Sequence, residues 1–332
     1  MYSINEQQPI APSLLAAFQE LIDDKPPAFS LREVLTTMPR LRKKTLLPRA
    51  ALLGEWMREG DFGYIYAPRG HGKTWLAMMM ANALADHTGM GLWSKGTRSR
   101  KVIYFDAEMN LPDVQERANC IDVKSDNFQL LQNELVFEKM RRGLNIAEVE
   151  DQALISEMLD DGDVFLIDNL STAASGLSEN DNDSFDSMKG WLLSLRGRGI
   201  TVIIVHHAGR NGEMRGASRR EDMAHWILSL KEDGMEGEGT AWITQFKKCR
   251  NCASLDAPPL RWTLTIHDNR AETTCQRHSG TDAMLALIRT GVENATDLAE
   301  ELGVTNGCVS KWAKKLSTAG LIHIRNRRYV PA

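Results

Sequence analysis

Cysteine, long apolar runs and excess positive charge are all scarce in this sequence, and each absence excludes a class of protein. The 332 residues include five cysteines, an odd number at scattered positions, which argues against a secreted disulfide framework and for a reducing compartment. The first residues lack the basic start and apolar run of a signal peptide. The apolar stretch at residues 77–85 is too short to cross a membrane and contains Asn82. We therefore expect a cytoplasmic protein that has no membrane partner.

The overall charge points to no particular partner. With a formal net charge of −4, 42% apolar residues and 25% charged residues, the composition is that of an ordinary globular protein. Any surface that binds nucleic acid must therefore be local. The length suits one large domain together with a small one.

The chain divides into four zones. Residues 1–50 combine a short helical pattern, a Pro-Pro breaker and a basic segment, which we interpret as an N-terminal helical and basic region. Residues 51–267 alternate β-rich runs with helical stretches. Residues 268–280 are polar and are predicted to form a linker. Residues 281–332 are predicted to form a compact second domain.

Seven short runs in the second zone are predicted to be strands. Several of them, such as VFLI and VIIV, are continuous aliphatic runs, which is typical of strands that are covered on both faces. Helical stretches lie between the earlier runs, as right-handed crossovers require. The predicted fold class is therefore α/β, with a mainly parallel twisted sheet. The predicted strands are residues 64–67, 102–106, 164–168, 201–206, 226–230, 241–247 and 260–267.

A phosphate-binding loop follows the first of these strands. The sequence YAPRGHGKT, residues 66–74, ends as the P-loop motif G-x-x-x-x-G-K-[ST] does, but has Ala67 at the motif's first glycine. Glycines let successive backbone N–H groups turn toward phosphate oxygens. Lys73 is predicted to reach the β- and γ-phosphates of ATP, and the Thr74 hydroxyl to bind Mg²⁺; a glycine-rich turn that only caps a helix is the alternative. The predicted nucleotide-binding residues are Gly70, His71, Gly72, Lys73, Thr74, Trp75 and Asp168.

Three polar residues at the ends of later strands complete the predicted ATPase site. Asp168 ends an apolar strand, as the acidic residue that orders Mg²⁺ in a P-loop ATPase does. Glu108 is the candidate base for the attacking water; a solvated pair with Asp106 at a helix start is the alternative. His206 ends another buried strand and is the candidate contact to the γ-phosphate. A metal-binding pair with His207 is the alternative, although no matching cluster lies nearby in the sequence.

These motifs follow one another as they do in the RecA-like hexameric ATPases. The segments GHGKTWLAMMMANALA, YFDAEMN, LIDNL, IIVHHAGRNGEMRGASRRED and KKCRN resemble the RepA-like plasmid and phage helicases, relatives of the DnaB-type helicases, over roughly residues 50–267. The resemblance implies a homo-oligomer, expected to be a hexameric ring, that hydrolyses ATP with Mg²⁺. It also implies that KKCRN is the Lys-x-Arg element that reaches a neighbour's ATP site, with Arg250 as the arginine finger and Lys248 beside it. An exposed basic strand end is the alternative for this segment.

Two loops are candidates for the channel of such a ring. Residues 169–187 contain four acidic residues and no lysine or arginine, which makes this loop a poor contact for phosphates. Residues 208–220 carry four arginines and suit a mobile loop on a nucleic-acid backbone, with Arg215 and Arg219 as the predicted contacts. Contacts to ATP or to the next subunit are the alternative for these arginines.

The C-terminal zone is predicted to be a winged helix-turn-helix. Residues 295–302 form the predicted first helix of the motif, and Thr305 begins the second. Between Thr305 and Ala332 there are six basic residues and no acidic one, so we expect contact with duplex DNA. A winged helix that binds protein is the alternative. The predicted DNA contacts are Asn306, Ser310, Lys311, Lys314, Lys315, Arg325, Arg327 and Arg328.

The expected function is that of an ATP-hydrolysing, ring-forming DNA motor, helicase or loader in the replication of a plasmid, phage or other mobile element. Its expected partners are DNA and further copies of the chain, with other replication proteins as further candidates. A DNA-binding regulator that ATP switches without translocation is one alternative. A filament-forming ATPase of recombination or repair is another.

Overall fold

The computed structural model describes residues 30–175, 182–209, 214, 221–236, 239–253, 256–302, 304–325 and 328–332. The chain divides into two compact units, with the boundary between Pro48 and Arg49. In the first unit the described residues form two short helices, α1 (Leu31–Val34) and α2 (Met38–Arg42), which the side chains of Ser30 and Thr37 cap. Of the helices in the described residues, none has the length and apolar character that a membrane crossing requires.

The second unit is built on a large sheet. A small antiparallel pair, β1 (Ala51–Leu53) and β2 (Met57–Arg58), precedes it. The sheet strands are β3 (Phe62–Ala67), β4 (Val102–Asp106), β5 (Phe128–Gln132), β6 (Val164–Asp168), β7 (Thr201–His207), β8 (Trp226–Glu236), β9 (Gly239–Cys249), β10 (Leu260–His267) and β11 (Arg270–Arg277). Their order across the sheet is β11-β10-β9-β8-β3-β7-β6-β4-β5.

In this order, each strand from β8 to β5 is parallel to its neighbours. From β8 to β11, each strand is antiparallel to the next. The continuous aliphatic runs of β6 and β7 lie in the parallel part, where every residue of both strands is buried. Burial on both faces is the reason that these strands do not alternate between apolar and polar residues. The prediction of an α/β fold with a mainly parallel sheet is confirmed.

Helices cover both faces of the parallel strands. They are α3 (Lys73–Ala85), α4 (Leu111–Ile121), α5 (Asn133–Met140), α6 (Val149–Met158), α7 (Leu170–Ala173) and α8 (Asn182–Gly197). On one face, Leu76 and Leu84 of α3 belong to the same apolar core as Ile65 and Leu166. On the other face, Leu192 and Leu195 of α8 belong to a second apolar core. The α8 helix begins inside the segment 169–187 that was predicted as a loop.

The predicted linker at residues 268–280 is wrong, because Arg270–Arg277 forms the edge strand β11. It pairs with β10 along its length, from His267 opposite Arg270 to Leu260 opposite Arg277. Asp268 and Asn269 form the two-residue turn, with φ of 48° and 57°. The polar composition that suggested a linker reflects the exposure of most side chains of this edge strand. The edge strand β5, at the other end of the sheet, was not predicted.

The C-terminal residues form three helices and a hairpin around their own apolar core. They are α9 (Gly280–Arg289), α10 (Ala295–Leu302), α11 (Asn306–Thr318), and the antiparallel β12 (Ile322–Arg325) and β13 (Arg328–Pro331). Val309, Ala313 and Leu316 of α11 face the core, at the helical spacing that the sequence shows. Thr305 caps α11 by accepting a hydrogen bond from the backbone N–H of Cys308 (3.3 Å). We refer to residues 280–332 as the C-terminal module.

Candidate active site

A cleft of about 470 Å³ opens at the carboxyl ends of the parallel strands, where ligands bind in open α/β sheets. It brings together most of the residues that the sequence assigned to the nucleotide. Residues 69–75 form one wall, and Glu108, Met109, Arg117, Asp168 and His207 form a second. The antiparallel strands supply Thr240, Trp242, Leu264 and Ile266, which the sequence did not indicate.

The loop between β3 and α3 has the conformation that its glycines permit. Gly70 and Gly72 have φ of 80° and 77°, in the left-handed region that favours glycine. Gly72 also lies against Trp242, whose ring would be 3.3 Å from a Cβ atom at this position. Ala67, which replaces the first glycine of the motif, is the last residue of β3 and pairs with His207. A strand residue has no need of glycine, which explains why alanine is tolerated there.

Lys73 is held inside the loop. Its side chain is buried, and its Nζ donates a hydrogen bond to the backbone carbonyl of Pro68 (2.7 Å). Burial lowers the pKa of the Lys73 ammonium, while the nearby carboxylates of Asp168 and Glu108 oppose that shift. The loop thus presents a cation close to two acidic side chains at the end of the cleft.

Asp168 is a buried carboxylate at the end of β6. Its Oδ2 accepts a hydrogen bond from the Tyr104 hydroxyl (2.6 Å), and the Thr74 hydroxyl also donates to it. Burial raises the pKa of Asp168, and these two hydrogen bonds oppose the shift. A hydroxyl and a carboxylate side by side are hard oxygen donors, which fit Mg²⁺. Thr74 and Asp168 would therefore hold that ion, as the sequence predicted.

Asp106 adds a second buried carboxylate at the end of β4. Its Oδ1 accepts hydrogen bonds from the backbone N–H groups of Glu108 (2.9 Å) and Met109 (2.8 Å). Its Oδ2 is buried and has no hydrogen-bond partner among the described residues. Burial raises the pKa of Asp106 to about 6. An oxygen without a donor beside a candidate metal site is consistent with a hydrated cation next to it.

Glu108 lies at the mouth of the cleft and is exposed. Its Oε2 accepts a hydrogen bond from Nδ2 of Asn169, and the same Nδ2 lies 3.3 Å from Nε2 of His207. Glu108 is therefore placed where it can act on a water molecule within the cleft. Its role as a base stays a prediction.

The structure corrects the assignment of His206. Side chains of a strand alternate between the two faces of the sheet, so His207 shares the α3 face with Val205, and His206 lies on the opposite face with Ile204. His207 lines the cleft, whereas His206 is buried away from it. The histidine in the cleft is therefore His207 and not the predicted His206.

Two further side chains form a stacked pair at the wall of the cleft. The Arg117 guanidinium lies over the Trp75 ring, 5.2 Å from the ring centre. Trp75 was predicted to contact the nucleotide, but Arg117 was not. Arg117 comes from α4, and only the packing of α4 beside α3 brings it there. His71 is also paired, with its Nε2 3.5 Å from Oε2 of Glu232 on β8.

Lys248 and Arg250 lie beside the amino ends of the parallel strands, whereas the cleft lies at the carboxyl ends. Cys249 pairs with Trp226, which in turn pairs with Gly63 near the beginning of β3. The P-loop begins beyond Ala67, at the other end of β3. Lys248 donates to the carbonyl of Glu221, and Arg250 to that of Asp222 (3.2 Å). Neither side chain reaches the cleft of its own chain.

The residues that follow Arg250 are anchored to the base of the sheet. Nδ2 of Asn251 donates to Oδ2 of the fully buried Asp61 (2.5 Å) and to the carbonyl of Trp56 (2.7 Å). The Cys249 and Cys252 thiols lie 3.3 Å apart. In the part of the chain that the structure describes, no group of three or more histidine, cysteine or acidic residues could hold a metal ion.

Most of the predicted DNA contacts in the C-terminal module are exposed. On α11, Asn306, Ser310, Lys311, Lys314 and Lys315 are exposed, opposite the buried face. Arg325 and Arg328 are also exposed and pair with each other across the hairpin. The Ser310 hydroxyl donates to the carbonyl of Asn306 (3.0 Å). Arg215, Arg219 and Arg327 lie outside the described residues.

The fold and the cleft define the class of protein. A glycine loop with a buried lysine, and an acidic residue at the end of a buried parallel strand, are the elements of a P-loop ATPase. Residues 27–213 match the family AAA_25, described as an AAA domain. Because this match spans more than half of the chain, the protein belongs to that family and is an ATPase of the P-loop type.

The solved structures to which this chain is similar include two proteins from archaeal sources. The flagellar accessory protein FlaH from Methanocaldococcus jannaschii is 10% identical, with a TM-score of 0.45 over 67% of this chain and 90% of that one. The KaiC-like protein PH0186 from the hyperthermophilic archaeon Pyrococcus horikoshii OT3 is 14% identical, with a TM-score of 0.42 over 66% of this chain and 91% of that one. Comparison with curated proteins finds no match.

Proposed function

We propose that the chain is an ATP-driven DNA motor or loader that assembles into a ring, expected to be hexameric, and acts in the replication of a plasmid, phage or other mobile element. The observation that carries the proposal is the separation of Arg250 from the cleft of its own chain. DNA, further copies of the chain and other replication proteins are the proposed partners.

The cleft contains the groups that ATP hydrolysis needs. Backbone N–H groups of the loop would bind phosphate oxygens, and Lys73 would exchange the Pro68 carbonyl for a phosphate. Mg²⁺, held by Thr74 and Asp168, would neutralise charge on the phosphates. Glu108 would accept the proton of the attacking water. Trp75 and Arg117 offer a flat surface on which a nucleobase can stack.

The position of Arg250 supports a site shared between subunits. The strand β3 from Gly63 to Ala67 separates the Lys-x-Arg element from the P-loop by about 13 Å along the sheet. The hydrogen bonds of Asn251 to Asp61 and Trp56 keep this element at its edge. An arginine at the amino ends of the parallel strands and a nucleotide cleft at their carboxyl ends would be the two halves of a head-to-tail interface, which gives a ring when the rotation between subunits closes. Arg250 would then stabilise charge on the neighbour's phosphates.

The exposed basic face of the C-terminal module supports a role on DNA. Three helices followed by a two-stranded hairpin have the layout of a winged helix-turn-helix, with α11 as the proposed recognition helix. From Thr305 to Ala332 the sequence contains six lysines and arginines and no acidic residue. This face would bind the phosphate backbone and tie the ring to duplex DNA.

The shared site can be tested by mixing two inactive variants. Lys73→Ala loses its own P-loop but retains Arg250, and Arg250→Ala retains the P-loop but lacks the arginine. Each variant alone should hydrolyse no ATP, and Arg250→Ala should still bind it. In a random equal mixture, an interface is intact when an Arg250→Ala subunit supplies the P-loop and a Lys73→Ala subunit supplies the arginine. Each condition holds in half of the cases, so about one quarter of the wild-type rate should return. If the mixture stays inactive, or if Arg250→Ala alone hydrolyses ATP normally, the shared site is refuted.

A regulator that binds DNA without translocation is the second candidate. It is favoured by the concentration of described basic residues on the C-terminal module, whose layout suits duplex DNA. Displacement of a labelled strand, driven by ATP, supports the motor. Binding to one duplex sequence without any displacement supports the regulator.

A further inference from the structure

Asn169 connects two residues of the proposed hydrolysis site that no sequence motif links. It follows Asp168 at the end of β6 and is 1% exposed. Its side chain contacts Glu108, which follows β4, and His207, which ends β7. The contact therefore spans the ends of three strands in the wall of the cleft.

The orientation of the Asn169 amide follows from the partners of its oxygen. Oδ1 accepts hydrogen bonds from the backbone N–H of Thr172 (3.2 Å) and from the Thr172 hydroxyl (3.3 Å), as the N-cap of α7. Because the oxygen is turned toward this helix, the NH₂ group points to the cleft. The two ends of one side chain thus serve a helix cap and the active site.

Each of the two hydrogens on Nδ2 has an acceptor. One is donated to Oε2 of Glu108, and the other points to Nε2 of His207, 3.3 Å away. An amide nitrogen only donates, so this contact is a hydrogen bond in the His207 tautomer whose Nε2 carries no proton.

We infer that Asn169 is a positioning residue, which holds the carboxylate of Glu108 and the ring of His207 through the two hydrogens of one amide. The inference rests on the proposed function, in which Glu108 acts on the attacking water. Glu108 is exposed, so without the amide its carboxylate would spread over several rotamers. If His207 shifts on contact with a phosphate, the Asn169 amide that contacts it would move too. The position of the Glu108 carboxylate would then depend on the position of His207.

Two substitutions separate this role from the helix cap. Asn169→Ser and Asn169→Asp retain an oxygen that caps α7, but the serine hydroxyl is too short to reach Glu108 and the aspartate has no hydrogen to donate. We expect the kcat for ATP hydrolysis to fall about 10- to 100-fold in both variants, since a displacement of about 1 Å costs that much. The KM for ATP should stay within about twofold, because the phosphate-binding loop is unchanged.

A cap in the C-terminal module provides the matched control. Ser279 caps α9 by accepting a hydrogen bond from the backbone N–H of Asp282 (3.1 Å), and Ser279→Ala should leave kcat at the wild-type value. The double variant Asn169→Ser/His207→Ala tests the coupling directly. His207 also faces the cleft, so its loss has an effect of its own; if both residues act through one amide, the kcat of the double variant should still be higher than the product of the two single effects predicts.

The inference is overturned if the Asn169 variants hydrolyse ATP at the wild-type rate. It is also overturned if they raise KM with kcat unchanged, or if the effects of Asn169→Ser and His207→Ala multiply. Wild-type protein and Lys73→Ala serve as the reference for the proposed function. If the wild type and Lys73→Ala hydrolyse ATP at the same rate, the proposed function fails and the role of Asn169 fails with it. If their rates differ and the Asn169 variants hydrolyse ATP at the wild-type rate, only the role of Asn169 fails.

Discussion

Replacing Tyr104 with phenylalanine removes one oxygen atom from the protein, the donor of a hydrogen bond to Asp168. Tyr104 is 0% exposed and Asp168 is 3% exposed. The hydroxyl lies 2.6 Å from Oδ2 of the carboxylate. Because both side chains are buried, no water molecule replaces this donor, and the Asp168 carboxylate should accept one hydrogen bond fewer in the variant.

The expected loss follows from the burial of both partners. A hydrogen bond to a charged group contributes about 1.5–3 kcal/mol to the free energy of unfolding, and the full amount applies where solvent cannot compensate. The Thr74 hydroxyl still donates to Asp168 in the variant. We therefore expect a loss near the middle of the range, about 2 kcal/mol at neutral pH.

The loss should depend on pH in a definite direction. Burial raises the pKa of Asp168 in the folded protein, and the Tyr104 hydrogen bond opposes this shift. Without that bond the folded-state pKa rises further. A carboxyl with a raised folded-state pKa destabilises the folded protein when it is ionised, so the loss is fully present above that pKa and shrinks as the pH falls through it.

The assay is denaturant unfolding of the nucleotide-free protein at a series of pH values from neutral toward acid. Tyr329→Phe is the matched control, since it removes the same atom from a residue in the core of the C-terminal module; its effect should stay within about 0.5 kcal/mol. A Tyr104→Phe protein as stable as the wild type at neutral pH would refute the reasoning. So would a loss that does not diminish toward acid pH.

Two further predictions concern ligands. Arg117→Ala should weaken ATP binding about 3- to 30-fold through loss of the stacked pair with Trp75, and Arg117→Lys should have an intermediate effect. Calorimetric titration with ATP measures both affinities, and affinities equal to that of the wild type would contradict a role in base stacking. Lys314→Ala should weaken binding to duplex DNA and reduce the slope of log K against log salt by about 1. Lys189→Ala, which removes an exposed lysine from α8, is its control, and an equal effect of both would argue against the C-terminal module as the DNA contact.

The bounds of three strands were predicted from local chemistry, whereas β3, β7, β8 and β9 are each longer than the residues predicted for them. Residues 102–106, 164–168 and 260–267 were predicted as strands, and β4, β6 and β10 have those bounds. Edge strands have a weaker signal, because water covers one side of them. This is why β5 was not predicted and the polar β11 was taken for a linker.

The identity of the phosphate loop was also a local matter, since Gly70, Gly72, Lys73 and Thr74 are neighbours in the chain. The choice between His206 and His207 was not a local matter. The sequence shows that two histidines end a strand, but it does not show which face of the sheet holds the nucleotide. Only the packing of α3 on the face of Val205 and His207 decides that question.

Short-range patterns, therefore, determined the loop, the central strands and the basic character of the C-terminal residues. The tertiary structure alone decided which residues meet. It brought Asn169 between Glu108 and His207, and Arg117 over Trp75. It also set Arg250 at the end of the sheet opposite the cleft, because β9 pairs with β8 and β8 pairs with β3, whose residues are far from those of β8 in the chain. The physical reason is that hydrogen-bonded register across a sheet is a long-range property, which no window of neighbouring residues contains.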